Sequence, residues 1–171
     1  MASPVAPLED TLPSPTEWRA AMGAFPTGVT VVTTWGPEGQ PLGSTINAFC
    51  SVSLSPPMLL ICLDLNNPLC GPVQACGVFG VNFLGEDAPA TARCFAVTPE
   101  EDRFREHAFR TVGEGAPQLE CAPVFVDCAV ETIITAGDHL VVVGRGLRTE
   151  QACAAAPLLY HRGRFHKLPP L

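Results

Sequence analysis

Residues 123–150, PVFVDCAVETIITAGDHLVVVGRGLRTE, decide the fold. Two runs rich in valine, isoleucine and threonine, 123–135 and 139–150, flank Ala136-Gly137-Asp138. β-Branched side chains suit a pleated surface and a glycine-aspartate pair supplies turn chemistry, so the stretch reads as one long hairpin. Strands of this length, with hairpin connections and few intervening helices, favour a closed antiparallel barrel over a doubly wound sheet.

The flanking segments agree with that reading. MLLICLD (58–64), GVFGVNFL (77–84) and GVTVVTTW (28–35) are further strands, the last turning at Gly36-Pro37-Glu38-Gly39. Ser14-Pro15-Thr16-Glu17 offers an N-cap, a proline at the first helical position and a capping-box glutamate, which predicts a helix from near Pro15 to about Gly23. Short helices are expected over 69–76 and 87–106. Residues 1–13, rich in proline, alanine and serine without periodicity, read as a disordered lead-in, leaving 14–171 as one domain.

Composition limits the function. With 47% hydrophobic and 16% charged residues, the 171-residue chain has the makings of a compact core. A net charge of −7 with a single lysine, Lys167, argues against a nucleic-acid partner. The eight cysteines (50, 62, 70, 76, 94, 121, 128 and 153) include no C-x-x-C pair, so no metal site is expected and they read as reduced, mostly buried residues. The first residues have neither the basic nor the apolar region of an export signal, and no apolar run approaches the roughly 20 residues of a membrane span. The expected location is the cytoplasm.

Several familiar chemistries are absent. Gly113-Glu114-Gly115-Ala116-Pro117 lacks the third glycine of a dinucleotide fingerprint and runs into proline, and no phosphate-binding loop, H-E-x-x-H or G-x-S-x-G occurs. What remains is GSTINAFCSVSLSPP (43–57), in which Thr45, Asn47, Ser51 and Ser53 alternate with Ile46, Ala48, Val52 and Leu54 except for a break at Phe49-Cys50. Such a break is where a bulge turns backbone N–H groups outward, and a surface of small side chains with free amides suits a planar heterocycle. A solvated strand face backed by a core face accounts for the same pattern.

The segments FPTGVTVVTTWGPEGQPLGSTINAFCSVSLSPPMLLICLD, GVFGVNFL, CFA, EDRF, AGDHLVVVGRG and PLLYHRG, in that order, resemble the flavin reductase family, the small reductase components of two-component monooxygenases. The likeness runs from about Trp18 to Leu168. It implies a mainly β fold, a split antiparallel β-barrel of the FMN-binding, Greek-key type with a few short helices. It also implies an NAD(P)H-dependent flavin reductase that reduces FMN or FAD with NADH or NADPH and hands reduced flavin to a flavin-dependent monooxygenase. The alternative is a tailoring enzyme that retains its flavin and acts on an organic substrate itself.

By the same likeness, Thr45, Ile46, Asn47, Ala48, Phe49, Ser51, Val52 and Ser53 line the flavin ring and ribityl chain. Asn67, Pro68, Leu69 and Cys70 occupy the flavin phosphate loop, where relatives carry S-x-[ST] and Leu69 has no donor to offer. Arg103 is a candidate for compensating charge, with an ordinary surface arginine as the competing reading. His139, in Gly137-Asp138-His139, and Tyr160, His161, Arg162 and Gly163 resemble the segments that meet the nicotinamide nucleotide. No catalytic acid–base residue is expected, because hydride passes between the two cofactors. The family likeness further implies a homodimer with each flavin site near the subunit interface. Gly146 replaces a β-branched residue of relatives and has no functional explanation in the sequence.

Overall fold

The computed structural model describes residues 12–152 and 154–169, so most of the expected N-terminal lead-in and Cys153 lie outside the described residues. Helix α1 (Pro15–Gly23) starts as its sequence dictates: Ser14 Oγ accepts the Glu17 N–H at 3.3 Å, and the Glu17 carboxylate accepts the Ser14 N–H at 2.9 Å. After it come β1 (Thr27–Gly28), β2 (Thr30–Trp35), β3 (Pro41–Ile46), β4 (Phe49–Leu54) and β5 (Pro57–Asp64). Helix α2 (Cys70–Cys76), β6 (Val78–Phe83) and helix α3 (Pro89–Val97) form the middle of the chain. The short β7 (Phe109–Arg110) and β8 (Gln118–Leu119) precede the long β9 (Val124–Ala136) and β10 (His139–Gln151), and β11 (Leu159–His161) and β12 (Arg164–His166) end the fold.

Seven strands make one antiparallel sheet in the order β3-β2-β6-β9-β10-β5-β4. Its two edges, β3 and β4, are consecutive in the chain and joined only by Asn47-Ala48. The sheet therefore curls until its edges meet at a covalent link, but no ladder closes it. The structure is a split barrel, correcting the closed barrel expected from the hairpin pattern. The reason lies at the link, where Ala48 O accepts the Cys62 N–H at 3.0 Å and Phe49 then pairs with Ile61, committing β4 to β5 instead of β3. The break in the polar strand thus falls at Asn47-Ala48, two residues earlier than expected, and a separate bulge lies between Ser51 and Ser53. β1, β11 and β12 form a second sheet of three strands beside the barrel.

The single helix expected over 87–106 is also corrected. α3 stops at Val97 and a separate 3-10 turn spans Glu100–Asp102. Pro99 causes the break, since a residue before proline is driven from helical geometry, and Thr98 stands at ψ 145°.

One apolar cluster fills the barrel, with Val32, Ile61, Leu63, Leu69, Val73, Phe79, Val81 and Val142 among its members; a second, including Val31, Leu84, Phe95, Leu119 and Leu158, lies beneath α3 and the small sheet. Buried polar residues tie the 115–119 segment to the barrel. Asn82 donates to Val31 O at 3.0 Å and accepts the Leu119 N–H at 2.7 Å, while Asp127 accepts the Ala116 N–H at 3.1 Å. The seven described cysteines are all free thiols. Only Cys70 and Cys128 are buried, so the expectation of mostly buried cysteines is corrected; Cys62 and Cys94 are half-buried, and Cys50, Cys76 and Cys121 are exposed. No helix among the described residues is long and apolar enough to cross a membrane.

Candidate functional site

The link between β3 and β4 is also the floor of a cavity. Thr45 ends its outward run on β3, fixed by donating from Oγ1 to Ala92 O of α3 at 2.7 Å. Asn47, exposed at the link, reaches Thr27 Oγ1 through Nδ2 at 3.3 Å. Across from them the small sheet supplies Tyr160 and Phe165, whose rings pack 5.6 Å apart. Together with Val29, Arg93, Ala96, Val97, Gly163 and Arg164 these residues enclose about 640 Å³. A second cavity of about 790 Å³ shares Asn47, Tyr160 and Gly163 and extends under α1 past Arg19, Met22, Phe25 and Arg162. Volumes of this order accommodate planar, drug-sized ligands.

The structure brings some of the sequence-derived candidates to this place and sends others elsewhere. Thr45, Asn47, Tyr160 and Gly163 share one wall, and Arg162 adjoins it. Ile46 points into the core and is buried, while Phe49 packs edge-on against Phe83 at 5.2 Å. Ala48 is exposed at the link, and Ser51 and Val52 are exposed and Ser53 half-buried on the outer face of β4, away from both cavities. In the loop after β5, Asn67 is committed to structure: Nδ2 donates to Ser44 Oγ at 3.1 Å and Oδ1 accepts the Leu69 N–H at 3.0 Å. Pro68 is exposed, but Leu69 is 0% exposed and Cys70 is buried with its thiol 3.2 Å from Asp64 O. A hydroxyl at position 69 would therefore enter the barrel core and not meet a phosphate. Arg103 is neither a surface arginine nor a cavity residue. It is 9% exposed, and its guanidinium donates to Gly43 O at 2.7 Å and Thr98 O at 2.8 Å, latching the turn after α3 onto β3.

His139 opens β10 at the far end of the long hairpin, in a different sheet from Tyr160. Its Nδ1 lies 2.7 Å from Asp138 Oδ1, and that hydrogen bond is the main reason the Asp138 carboxyl is held below the usual carboxylate range. His161 faces His166 across the small hairpin with ring centroids 5.9 Å apart. The expected nicotinamide set is thus split between two places on one chain.

The cavity residues that sequence reasoning missed include Phe165 and three arginines, Arg19, Arg93 and Arg164. The charge inventory gave no sign of them, because the arginines come from separate segments and meet only in the folded chain. Among the described residues no group of histidine, cysteine, aspartate and glutamate is arranged to hold a metal. The arrangement can receive an anionic ligand carrying a flat ring, with a polar floor, an aromatic wall and a cationic rim.

Comparison with known proteins gives a consistent family picture. A family model described as a flavin reductase like domain matches residues 22–169. The chain is 39% identical to the flavin reductase (NADH) of Kitasatospora aureofaciens over 86% of this chain and 78% of that one. It is 31% identical to the flavin-dependent monooxygenase reductase subunit HsaB of Rhodococcus jostii (strain RHA1), over 91% of this chain and 79% of that one. Its fold superposes on the NADH:FAD oxidoreductase SgcE6 of Streptomyces globisporus C-1027 with a TM-score of 0.85, at 33% identity, covering 99% of each chain.

Proposed function

Because the chain belongs to the flavin reductase-like family, we propose that it is an NAD(P)H-dependent flavin reductase that supplies reduced flavin to a partner monooxygenase. The observation that carries this reading is the cavity at the β3–β4 link. There the polar floor of Thr45 and Asn47 and the aromatic wall of Tyr160 and Phe165 meet in one space. When both are bound, the nicotinamide supplies a hydride and the flavin accepts it. The chain's own work is placement. Thr45 and Asn47, each anchored by a hydrogen bond, hold one ring in register; Tyr160 walls the ring and keeps water from the reacting face. No general acid is required of the protein, because the hydride passes directly between the two cofactors.

His139 acts on the nicotinamide nucleotide in this reading. Its separation from Tyr160 is consistent with a homodimer in which one copy's long hairpin approaches the other copy's cavity. Residues 14–171 work as one domain, and the seven free thiols fit a cytoplasmic setting. The decisive assay follows NADH oxidation with added FAD or FMN. Saturation in free flavin supports the reductase; turnover only with an organic substrate and retained flavin would instead favour a tailoring enzyme.

A further inference from the structure

Ten basic residues must serve a chain of net charge −7. Six of them are occupied: Arg103 by backbone carbonyls, Arg105 by Asp102, Arg110 and Arg148 by Glu150, Arg145 by Glu131 and Lys167 by Asp87. The remaining four are Arg19, Arg93, Arg162 and Arg164. Among the described residues none of the four has an acidic partner, and all four line the two joined cavities. Arg93 is positioned rather than loose, its guanidinium lying 5.8 Å from the centre of the Phe165 ring. Like charges gathered without counter-charges repel one another, so the arrangement is stabilised when a polyanion joins them.

The loop after β5 offers little to a single phosphate. Its Asn67 amide is engaged, Leu69 is buried, and the acidic residues Asp64 and Asp138 border the same turn. A mononucleotide flavin has only its ring, ribityl chain and that one phosphate to be held by. We propose that Arg93 and Arg164, extended by Arg162 and Arg19, form a clamp for the pyrophosphate of a dinucleotide flavin, so that this protein selects FAD over FMN. The inference rests on the flavin reductase reading and adds the flavin it prefers. Guanidinium groups suit the task because their planar donors meet phosphate oxygens two at a time.

Titration of the full-length apo-protein with FAD, FMN and riboflavin, followed by flavin fluorescence, tests the clamp. Wild type is expected to bind FAD at least about 10-fold more tightly than FMN, and inorganic pyrophosphate to displace FAD at lower concentration than inorganic phosphate does. Arg93→Ala/Arg164→Ala should weaken FAD by about 10- to 100-fold and leave riboflavin binding where it was. Equal affinities for FAD and FMN in wild type would overturn the clamp. So would a double variant whose KM for NADH rises while its FAD affinity stands, since the arginines would then serve the nicotinamide nucleotide. NADH oxidation by wild type separates this from the wider reading: turnover with both flavins at equal affinity sinks only the clamp, whereas no turnover with either sinks the reductase.

Discussion

Arg162 has a backbone angle φ of +48°, and Gly163 beside it has φ +78°. The pair forms the two-residue turn between β11 and β12, a type I′ geometry in which asparagine-glycine is the favoured sequence. An arginine in this left-handed region costs about 1–2 kcal/mol relative to right-handed backbone, and the structure tolerates it because the Arg162 N–H donates to Gly23 O at 2.9 Å. A side chain retained against its own backbone preference, at the lip of a cavity, is a functional candidate. Arg162→Asn should therefore raise the thermal midpoint by about 2–4 °C, as expected for about 1 kcal/mol in a domain of this size, while lowering flavin affinity. Calorimetry and fluorescence titration of the same sample check both halves. A variant that is stabilised with unchanged binding would reduce Arg162 to a turn residue.

At the scale of elements, the β9–β10 hairpin was legible to within a residue because both of its signals are local, β-branched runs and Gly137, whose φ of +62° the turn requires; its two register shifts, at Val143/Gly144 and Gly146/Arg148, were not. The strand break was less legible, since the partner that fixes it, Cys62, is fourteen residues beyond Ala48 and belongs to another strand. The arginine cavity was hardest to foresee, because its residues come from α1, α3 and the small sheet and meet only in space. Two glycines of one strand also divide once packing is known. A methyl group at Gly144 would lie 2.4 Å from Phe79 Cζ, whereas at Gly146 it would lie 3.7 Å from Pro57. Gly144→Ala should cost about 1–3 kcal/mol through overpacking; Gly146→Ala should be neutral or gain up to about 1 kcal/mol by restricting the unfolded chain. Urea unfolding of the two variants decides whether Gly146 has any need of being glycine. Asp127 of β9 makes a pH-dependent contribution. Burial pushes its carboxyl above the usual aspartate range, opposed by the Ala116 N–H and the Arg148 charge. A raised folded value means the native state binds more protons, so this contribution is fully present below the unfolded value, about 3.9, and is lost as pH rises through the folded one. Asp127→Asn, which keeps the acceptor and cannot ionise, should gain on wild type as pH rises from about 4 and then hold a constant margin. A margin independent of pH in unfolding midpoints would mean that Asp127 titrates as an ordinary aspartate.

At the scale of the whole molecule, the split barrel leaves one edge uncovered. β4 presents Cys50, Ser51, Val52 and Leu54 to solvent, with Leu54 92% exposed. Leu54 pairs with Pro57, Gly146 of β10 lies against that same proline, and the following residue, Leu147, is exposed. Isolated apolar residues are normal on protein surfaces, but an edge strand carrying several of them, next to more on its neighbour, is a template for association. A twofold homodimer built on this face would cover the edge and bring a second copy close to the β3–β4 link from which β4 departs. In such an interface each substitution acts twice. Losing the burial of one leucine is worth about 1.5–3 kcal/mol, so Leu54→Lys should weaken a dimer by about 3–6 kcal/mol, or roughly 10²- to 10⁴-fold in its dissociation constant. Sedimentation equilibrium over a range of concentrations measures that change directly, and flavin titration of the resulting monomer reports whether the partner copy completes the site. A Leu54→Lys protein that sediments as the wild type does would move the interface off β4, and one that becomes monomeric with full flavin affinity would place the whole site within a single chain.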